Sequence, residues 1–288
     1  MDYYKMKEDF MGNILETIVT RTTASKIPPV AEIEQFGADG EESIYRLLCG
    51  HFDCVIRNVV VPHKELYLEK DFLVLVKGVP FVLEVKNWKG EIGYEGDKFY
   101  QNKENGVRKT LKSPVGTTNQ FIRSMKSFYG IARPVYGVVA FAEPDCKLSL
   151  PEEMDGVALL PAQKLAAYLR AKARLDKKTE IKHTPIDPCR LLRCTRFYSA
   201  DSEFTKGMLA DGKLECIRED GATVRLDTTR LSYISVEPQP LRLRDKLYVT
   251  FDNGSTGVFY NRNAILTVAC LDGSFRKLAL NRVRHIVF

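Results

Sequence analysis

The sequence predicts an α/β domain followed by a smaller all-β domain. Three observations carry that reading. Between Glu41 and Arg174, runs with helical and extended periodicity alternate, as in a sheet covered by helices. Within that region, Asp71–Val76 and Pro80–Lys86 read as a hairpin joined at Lys77-Gly78, and large apolar residues occupy both faces of its second strand. A strand apolar on both sides belongs in the middle of a covered sheet. From Tyr198 onward the character changes. Gly207, Gly212, Gly221, Gly254, Gly257 and Gly273 punctuate short runs of Leu, Val, Ile and Thr, the pattern of hairpins. The expected organisation is an N-terminal helix and connector over 1–30, the α/β domain over 31–175, a basic linker over 176–197 and a β-rich accessory domain over 198–288.

In chain order, Met6, Phe10, Ile14 and Ile18 set helical spacing over Met6–Arg21. That helix could dock on the body or pair with a second chain, so a homodimer is one open arrangement. Thr22–Val30 reads as a connector broken by Pro28-Pro29. Ile44, Leu47 and Leu48 give Glu41–Leu48 one buried stripe. Gly40 precedes it and Glu41 falls in its first turn, where the helix dipole favours a carboxylate; Glu42 reads as a solvated neighbour. Asp53–Val61 is a β-branched strand that Pro62 ends. After the central hairpin, Glu91–Tyr94 and Lys98–Gln101 flank a Glu95-Gly96-Asp97 turn. Lys103 to Lys112 reads as a basic loop, and Lys109 and Lys112 are candidates for phosphate contact. Pro114 opens a helix that carries Gln120. Val135–Phe141 and Gly156–Leu160 are buried strands, and Ala162–Arg174 is a helix. Basic residues dominate from Lys164 to Arg196. A solvated face and linker explains them, as does contact with phosphate backbone through Lys172, Arg174, Lys177 and Lys178. In the β-rich part, Leu214–Val236 and Ile265–Phe288 echo one another as hairpin, short turn and strand, which suggests two related barrel-like units. His285 reads as a packed or surface histidine.

The central hairpin also carries charge where charge is expensive. Glu84 and Lys86 share one face of a covered strand, and Asp71 opens the strand beside it. Two carboxylates and a lysine at one strand end suit a divalent cation and a positioned water. An ordinary Glu–Lys ion pair is the plainer alternative.

The wider pattern resembles the PD-(D/E)xK nuclease superfamily and, within it, the nuclease-related domain (NERD) family. Gly37-Ala38-Asp39-Gly40-Glu41 is similar to that family's G-x-x-G-E, and Glu69–Val74 to its acidic strand. Glu84-Val85-Lys86-Asn87-Trp88-Lys89-Gly90 is similar to its E-V-K-N-aromatic-x-G stretch, and Pro114 to Gln120 to a later helix start. The four pieces occur in order over roughly residues 35–165. Phe72 and Lys70 depart from the family, where a His and a small or apolar residue are common. The resemblance implies a restriction-endonuclease-like mixed central sheet flanked by helices, and metal-dependent hydrolysis of nucleic acid, DNA ahead of RNA. It implies Mg²⁺ or Mn²⁺ held by Asp71, Glu84 and the Val85 carbonyl, with Lys86 positioning water, Glu41 completing a metal or water contact and Gln120 in support. A defence or plasmid-maintenance setting is a further expectation from the family. The alternatives are a non-cleaving nucleic-acid-binding module that keeps the fold, and a sensor or assembly module whose β-rich domain engages a ligand or protein partner.

Composition agrees with this. The chain has 288 residues, 44% apolar and 28% charged, with a net charge of +6, which suits a globular protein and favours a polyanionic partner only where charge clusters. No apolar run approaches the roughly 20 residues a membrane span needs. The start lacks a signal-peptide pattern, and the seven cysteines show no metal-type spacing. A cytoplasmic location with free thiols is expected.

Overall fold

The computed structural model describes residues 30–95, 98–103, 106–176, 186–187, 191–199, 204–210, 213–239, 244–251, 253–262 and 264–288. The expected helix Met6–Arg21, the connector through Pro28-Pro29, the Gly96-Asp97 turn, and Lys177 and Lys178 lie outside them.

Helix α1 (Val30–Cys49) leads into strands β1 (Val55–His63), β2 (Leu66–Val76) and β3 (Val79–Lys86), then β4 (Glu91–Glu95), β5 (Lys98–Asn102) and β6 (Arg108–Leu111). Helix α2 (Pro114–Tyr129) precedes β7 (Tyr136–Phe141), β8 (Lys147–Ser149), β9 (Glu153–Met154), β10 (Val157–Pro161) and helix α3 (Ala162–Asp176). With β11 (Leu192–Arg193), a seven-stranded mixed sheet forms in the order β11-β1-β2-β3-β7-β10-β9. β3 and β10 flank β7 in parallel, while β1, β2 and β3 run antiparallel. Alternation along β3 divides the core as expected for a central strand. Phe81 and Leu83 pack with Ile44 and Leu48 of α1 and Leu165 and Leu169 of α3. Val82 packs with Phe121, Ile122 and Met125 of α2 on the other side.

Four expectations need correction. The helix containing Glu41 begins at Val30, so Glu41 lies mid-helix, away from the N-terminal partial charge. The β1 strand continues through Pro62, which stands opposite Tyr67 near the strand end. Part of the expected basic loop is strand β6, paired with β5, in a small sheet of order β6-β5-β4-β8. Glu42 is no solvated neighbour, because it accepts from Arg57 at 3.0 Å and from Arg46 at 3.1 Å.

The C-terminal region is all β: β12 (Thr195–Ser199), β13 (Phe204–Leu209), β14 (Lys213–Ile217), β15 (Thr223–Asp227) and β16 (Leu231–Gln239), then β17 (Arg244–Phe251), β18 (Thr256–Asn261), β19 (Ile265–Cys270), β20 (Phe275–Ala279) and β21 (Val283–Val287). The internal echo extends over both sets of five strands, with counterparts 52 positions apart. Thr195 faces Gly207, and Leu247 faces Phe259; Lys213 faces Asp227, and Ile265 faces Ala279. The turns match as well. Asp220 and Asp272 each accept from the backbone N–H two residues on, and Gly221 and Gly273 take φ of +86° and +81°, which glycine adopts without steric cost.

Both copies share one ten-stranded sheet, ordered β15-β14-β18-β17-β16-β21-β12-β13-β19-β20. That order reads the same from either end when the copies are exchanged. Each copy lends a hairpin to the other, since β13 pairs with β19 and β18 with β14. Ile234 opposes its own counterpart Ile286, which marks the pseudo-two-fold axis. His285 is packed against Tyr233, whose hydroxyl lies 2.6 Å from its Nδ1.

Candidate active site

The site residues gather where β2 and β3 lie side by side. Phe72 pairs with Leu83, and one step further along stand Asp71 and Glu84. Asp71 Oδ2 accepts from the Val85 backbone N–H at 2.6 Å, fixing the carboxylate against the strand that carries Glu84 and Lys86. Burial raises the Asp71 carboxyl well above its ordinary range, and the charges of Glu84 and Glu41 push it in the same direction. Glu41 on α1 is therefore close enough to act on Asp71, although 30 positions separate them in the sequence.

Glu84 is held differently. Lys86 Nζ donates to its Oε1, while Lys70 Nζ donates to its Oε2 at 2.5 Å and contacts Thr117 Oγ1 of α2 at 3.2 Å. Burial would raise the Glu84 carboxyl, but the ammoniums of Lys86 and Lys70 outweigh it and hold it below the usual range. Lys86 also lies 5.8 Å from the Trp88 ring centroid, a cation–π distance, and Trp88 is braced edge-on by Phe141.

Lys70 is the residue whose role the sequence hid. Its side chain is only 5% exposed, rare for a lysine without a partner. Strict alternation would place it on the Phe72 face, against α1 and α3. The β1–β2 ladder pairs Arg57 with Phe72 and then Val59 with Lys70, and Asn58 takes φ of +54°. The alternation is reset by one residue there, turning Lys70 to the side where Val59 packs with α2. A lysine between two acids in a largely apolar strand was the available signal.

A close approach joins the first and third pieces of the motif pattern. A Cβ on Gly40 would lie 2.7 Å from Asn87 Cβ, so only glycine lets α1 pass this near the segment after β3 and carry Glu41 towards Asp71. Gly90, at φ +83°, would bring a Cβ to 2.3 Å from the Asn102 carbonyl oxygen.

Gln120 lies on the same helix as Thr117, but its amide is committed to β1. Gln120 Nε2 is 2.9 Å from His63 Nε2, and His63 Nδ1 is 2.8 Å from Ser124 Oγ. With the amide donating, Nε2 accepts and the ring donates to Ser124 through Nδ1. The other basic candidates are spread out. Lys109, Lys112 and Arg174 are exposed, while Lys172 lies over the Tyr136 ring at 5.0 Å.

Residues 36–142 match the family model of the nuclease-related domain. By sequence, this segment is similar to the NERD family. The matched segment runs from within α1 past the end of β7, and it holds Glu41, Lys70, Asp71, Glu84, Lys86 and Gln120. No curated protein matches the chain. Among the described residues, no helix is long and apolar enough to cross a membrane.

The candidate site offers oxygen donors only, the ligand chemistry of a hard divalent cation. Among the described residues, the structure gives Asp71 Oδ1 and Glu41 Oε1 no hydrogen-bond partner. Like charge converging on Asp71 is what a bound cation would relieve. By donor type the residues suit such an ion, although among the described residues no three His, Cys, Asp or Glu side chains are arranged to hold one. A groove of about 450 Å³ lies elsewhere, in the β-rich region beside Leu214, Asn261 and Leu266.

Proposed function

We propose that the NERD domain hydrolyses phosphodiester bonds of nucleic acid, DNA ahead of RNA, with Mg²⁺ or Mn²⁺. The observation that carries this is the convergence of Asp71, Glu84 and Lys86 on one pair of strands, with Glu41 near enough to raise the Asp71 carboxyl. Asp71, Glu84, the Val85 carbonyl and Glu41 would hold the ion. When bound, it would supply a water of lowered pKa and offset charge on the phosphoryl oxygens.

The protein's own residues do the rest. Lys86, braced by Trp88 and Glu84, donates from its ammonium to hold a water in line with the phosphorus. As the water oxygen bonds to phosphorus, the bond to the leaving sugar oxygen breaks; the water's proton passes to solvent and the leaving oxygen takes one from solvent. Lys70 keeps Glu84 ionised and aligned through Thr117. Gln120, tied to His63, stiffens α2 behind the site. Exposed Lys109, Lys112 and Arg174 would meet phosphates, and the β-rich region would engage substrate or a protein partner. A cytoplasmic setting and a role in defence belong to the same proposal.

One observation favours a second reading. Glu84 is already neutralised by two ammoniums, as in a fold that binds nucleic acid without cleaving it and serves as a sensor or assembly module. Cleavage of labelled DNA with Mn²⁺, with excess EDTA, and by Glu84→Ala and Lys86→Ala separates the two. Loss of a principal catalytic group costs about 10²–10⁴-fold. Cleavage that persists in EDTA, or wild-type turnover by both variants, would refute the first reading. DNA binding without cleavage would establish the second.

A further inference from the structure

Glu41 is held from outside the NERD match. Arg196 on β12 donates from Nη2 to Glu41 Oε2 at 3.1 Å, and the two side chains are 19% and 20% exposed. Burial would lower the Arg196 guanidinium, but the Glu41 carboxylate outweighs it and raises it. Beside this pair, Lys206 of β13 meets Glu69 of β2 at 2.5 Å. Behind both lies an apolar seam of Val60, Cys194, Met208 and Ala269. Tyr67 N–H donates to the Leu271 carbonyl at 2.9 Å, and a Cβ on Gly273 would meet the Glu65 carbonyl oxygen at 2.1 Å. The β-rich region is thus anchored against β2 by packing as well as charge.

The carboxylate oxygens then divide into two groups. Glu84 has both committed to lysines, Asp71 has one on Val85, and Glu41 has one on Arg196. Without Arg196, Glu41 would face the like charges of Asp71 and Glu69 with nothing to retain it, and a flexible glutamate would turn to water.

We infer that Arg196, supplied by the β-rich region, is a positioning residue for the nuclease-like site: it clamps one oxygen of Glu41 so that the other stands near Asp71 as a cation donor. The inference rests on the cation-dependent reading above. It makes Glu41 and Asp71 the pair with open oxygens, and makes docking of the β-rich region and uptake of the cation favour one another. By linkage each stabilises the other to the same extent.

Calorimetric titration of the full-length protein with Mn²⁺ tests it. Arg196→Gln should bind Mn²⁺ roughly tenfold or more weakly, the usual effect of removing a group that orients a ligand, and Arg196→Lys should recover part of the loss. Lys206→Gln breaks the neighbouring pair in the same seam, so it should lower the unfolding temperature while leaving Mn²⁺ affinity within about twofold. Because Arg196 acts through Glu41, Arg196→Gln combined with Glu41→Gln should bind no worse than Glu41→Gln alone, a non-additivity expected of contacting residues. Wild-type or tighter affinity in Arg196→Gln overturns the inference, as does an equal loss in Lys206→Gln. Absence of Mn²⁺ binding by the wild-type protein overturns the cation reading and this inference together, an outcome distinct from normal uptake in both wild type and Arg196→Gln.

Discussion

Replacing Lys70 with Met removes a buried charge while keeping an unbranched apolar stem. In the native protein the ammonium lies 2.5 Å from Glu84 Oε2, for a gross attraction of about 6–7 kcal/mol at an effective dielectric near 20. Most of that offsets the desolvation of two charged groups in a site where the Lys70 side chain is 5% and Glu84 14% exposed. Breaking such a pair by deleting one partner typically costs about 3–5 kcal/mol, because the remaining charge is left uncompensated. Here Lys86 stays on the other oxygen of Glu84, and Thr117 still donates to the Pro114 carbonyl. Both considerations reduce the cost to about 2–3 kcal/mol, or a fall of roughly 3–5 °C in unfolding temperature for a protein of this size. Glu84→Gln should reverse part of the loss, since it removes the uncompensated charge. Thermal unfolding of Lys70→Met, Glu84→Gln and the double variant closes the cycle. Additive effects, or a Lys70→Met protein within about 0.5 kcal/mol of wild type, would refute the claim that the ammonium is there for Glu84.

Two further outcomes follow from the same geometry. Asp71→Asn should stabilise the metal-free protein at neutral pH. Its raised folded-state pKa means that the folded protein holds the proton more tightly than the unfolded chain, so Asp71 costs stability above that pKa and nothing below about pH 4, where both states are protonated. The gain, read as unfolding temperature against pH, should therefore close as pH falls towards 4; destabilisation by Asn across the whole range would contradict the charge argument. Gly40→Ala should cost about 1–3 kcal/mol, as overpacking does, because the new methyl would lie 2.7 Å from Asn87 Cβ. It should also reduce cleavage by moving Glu41; unfolding and turnover both at wild-type level would show that α1 has room to shift.

How much of this could be read from the sequence depended on the distance over which each contact acts. Asp71, Glu84 and Lys86 lie on two strands joined by a short turn, so alternation and hairpin pairing brought them together on paper as they are in the structure. Lys70 was visible only as a departure from the family pattern. The reset of alternation at Asn58, which decides which way Lys70 points, belongs to a different strand and leaves no mark beside Lys70. Arg196 was counted among the basic residues of a linker and offered to phosphate, because nothing local reveals a partner 155 positions away. Gln120 was correctly placed on its helix, yet its bond to His63 reaches across 57 positions to β1. The repeat in the β-rich region was legible as two copies of hairpin, short turn and strand, though not its extent over five strands each. The exchange of hairpins between copies was not, since either pairing buries the same apolar faces.

The balance of charge around the site explains how three carboxylates can sit together in largely buried surroundings. Glu84 is balanced by Lys70 and Lys86, and Glu41 by Arg196; among the described residues Asp71 is hydrogen-bonded to a backbone N–H and to no side-chain cation. It is the acid whose carboxyl burial and its neighbours raise, so on the proposed cation-dependent reading Asp71 is where a divalent cation would relieve most like charge. The lysines come from the same hairpin as Glu84, whereas Arg196 comes from the β-rich region. Two of the three cations therefore fold with the site, and the third arrives only when the β-rich region docks. A change in that docking would reach the site through Glu41 first, leaving the lysine-held Glu84 in place.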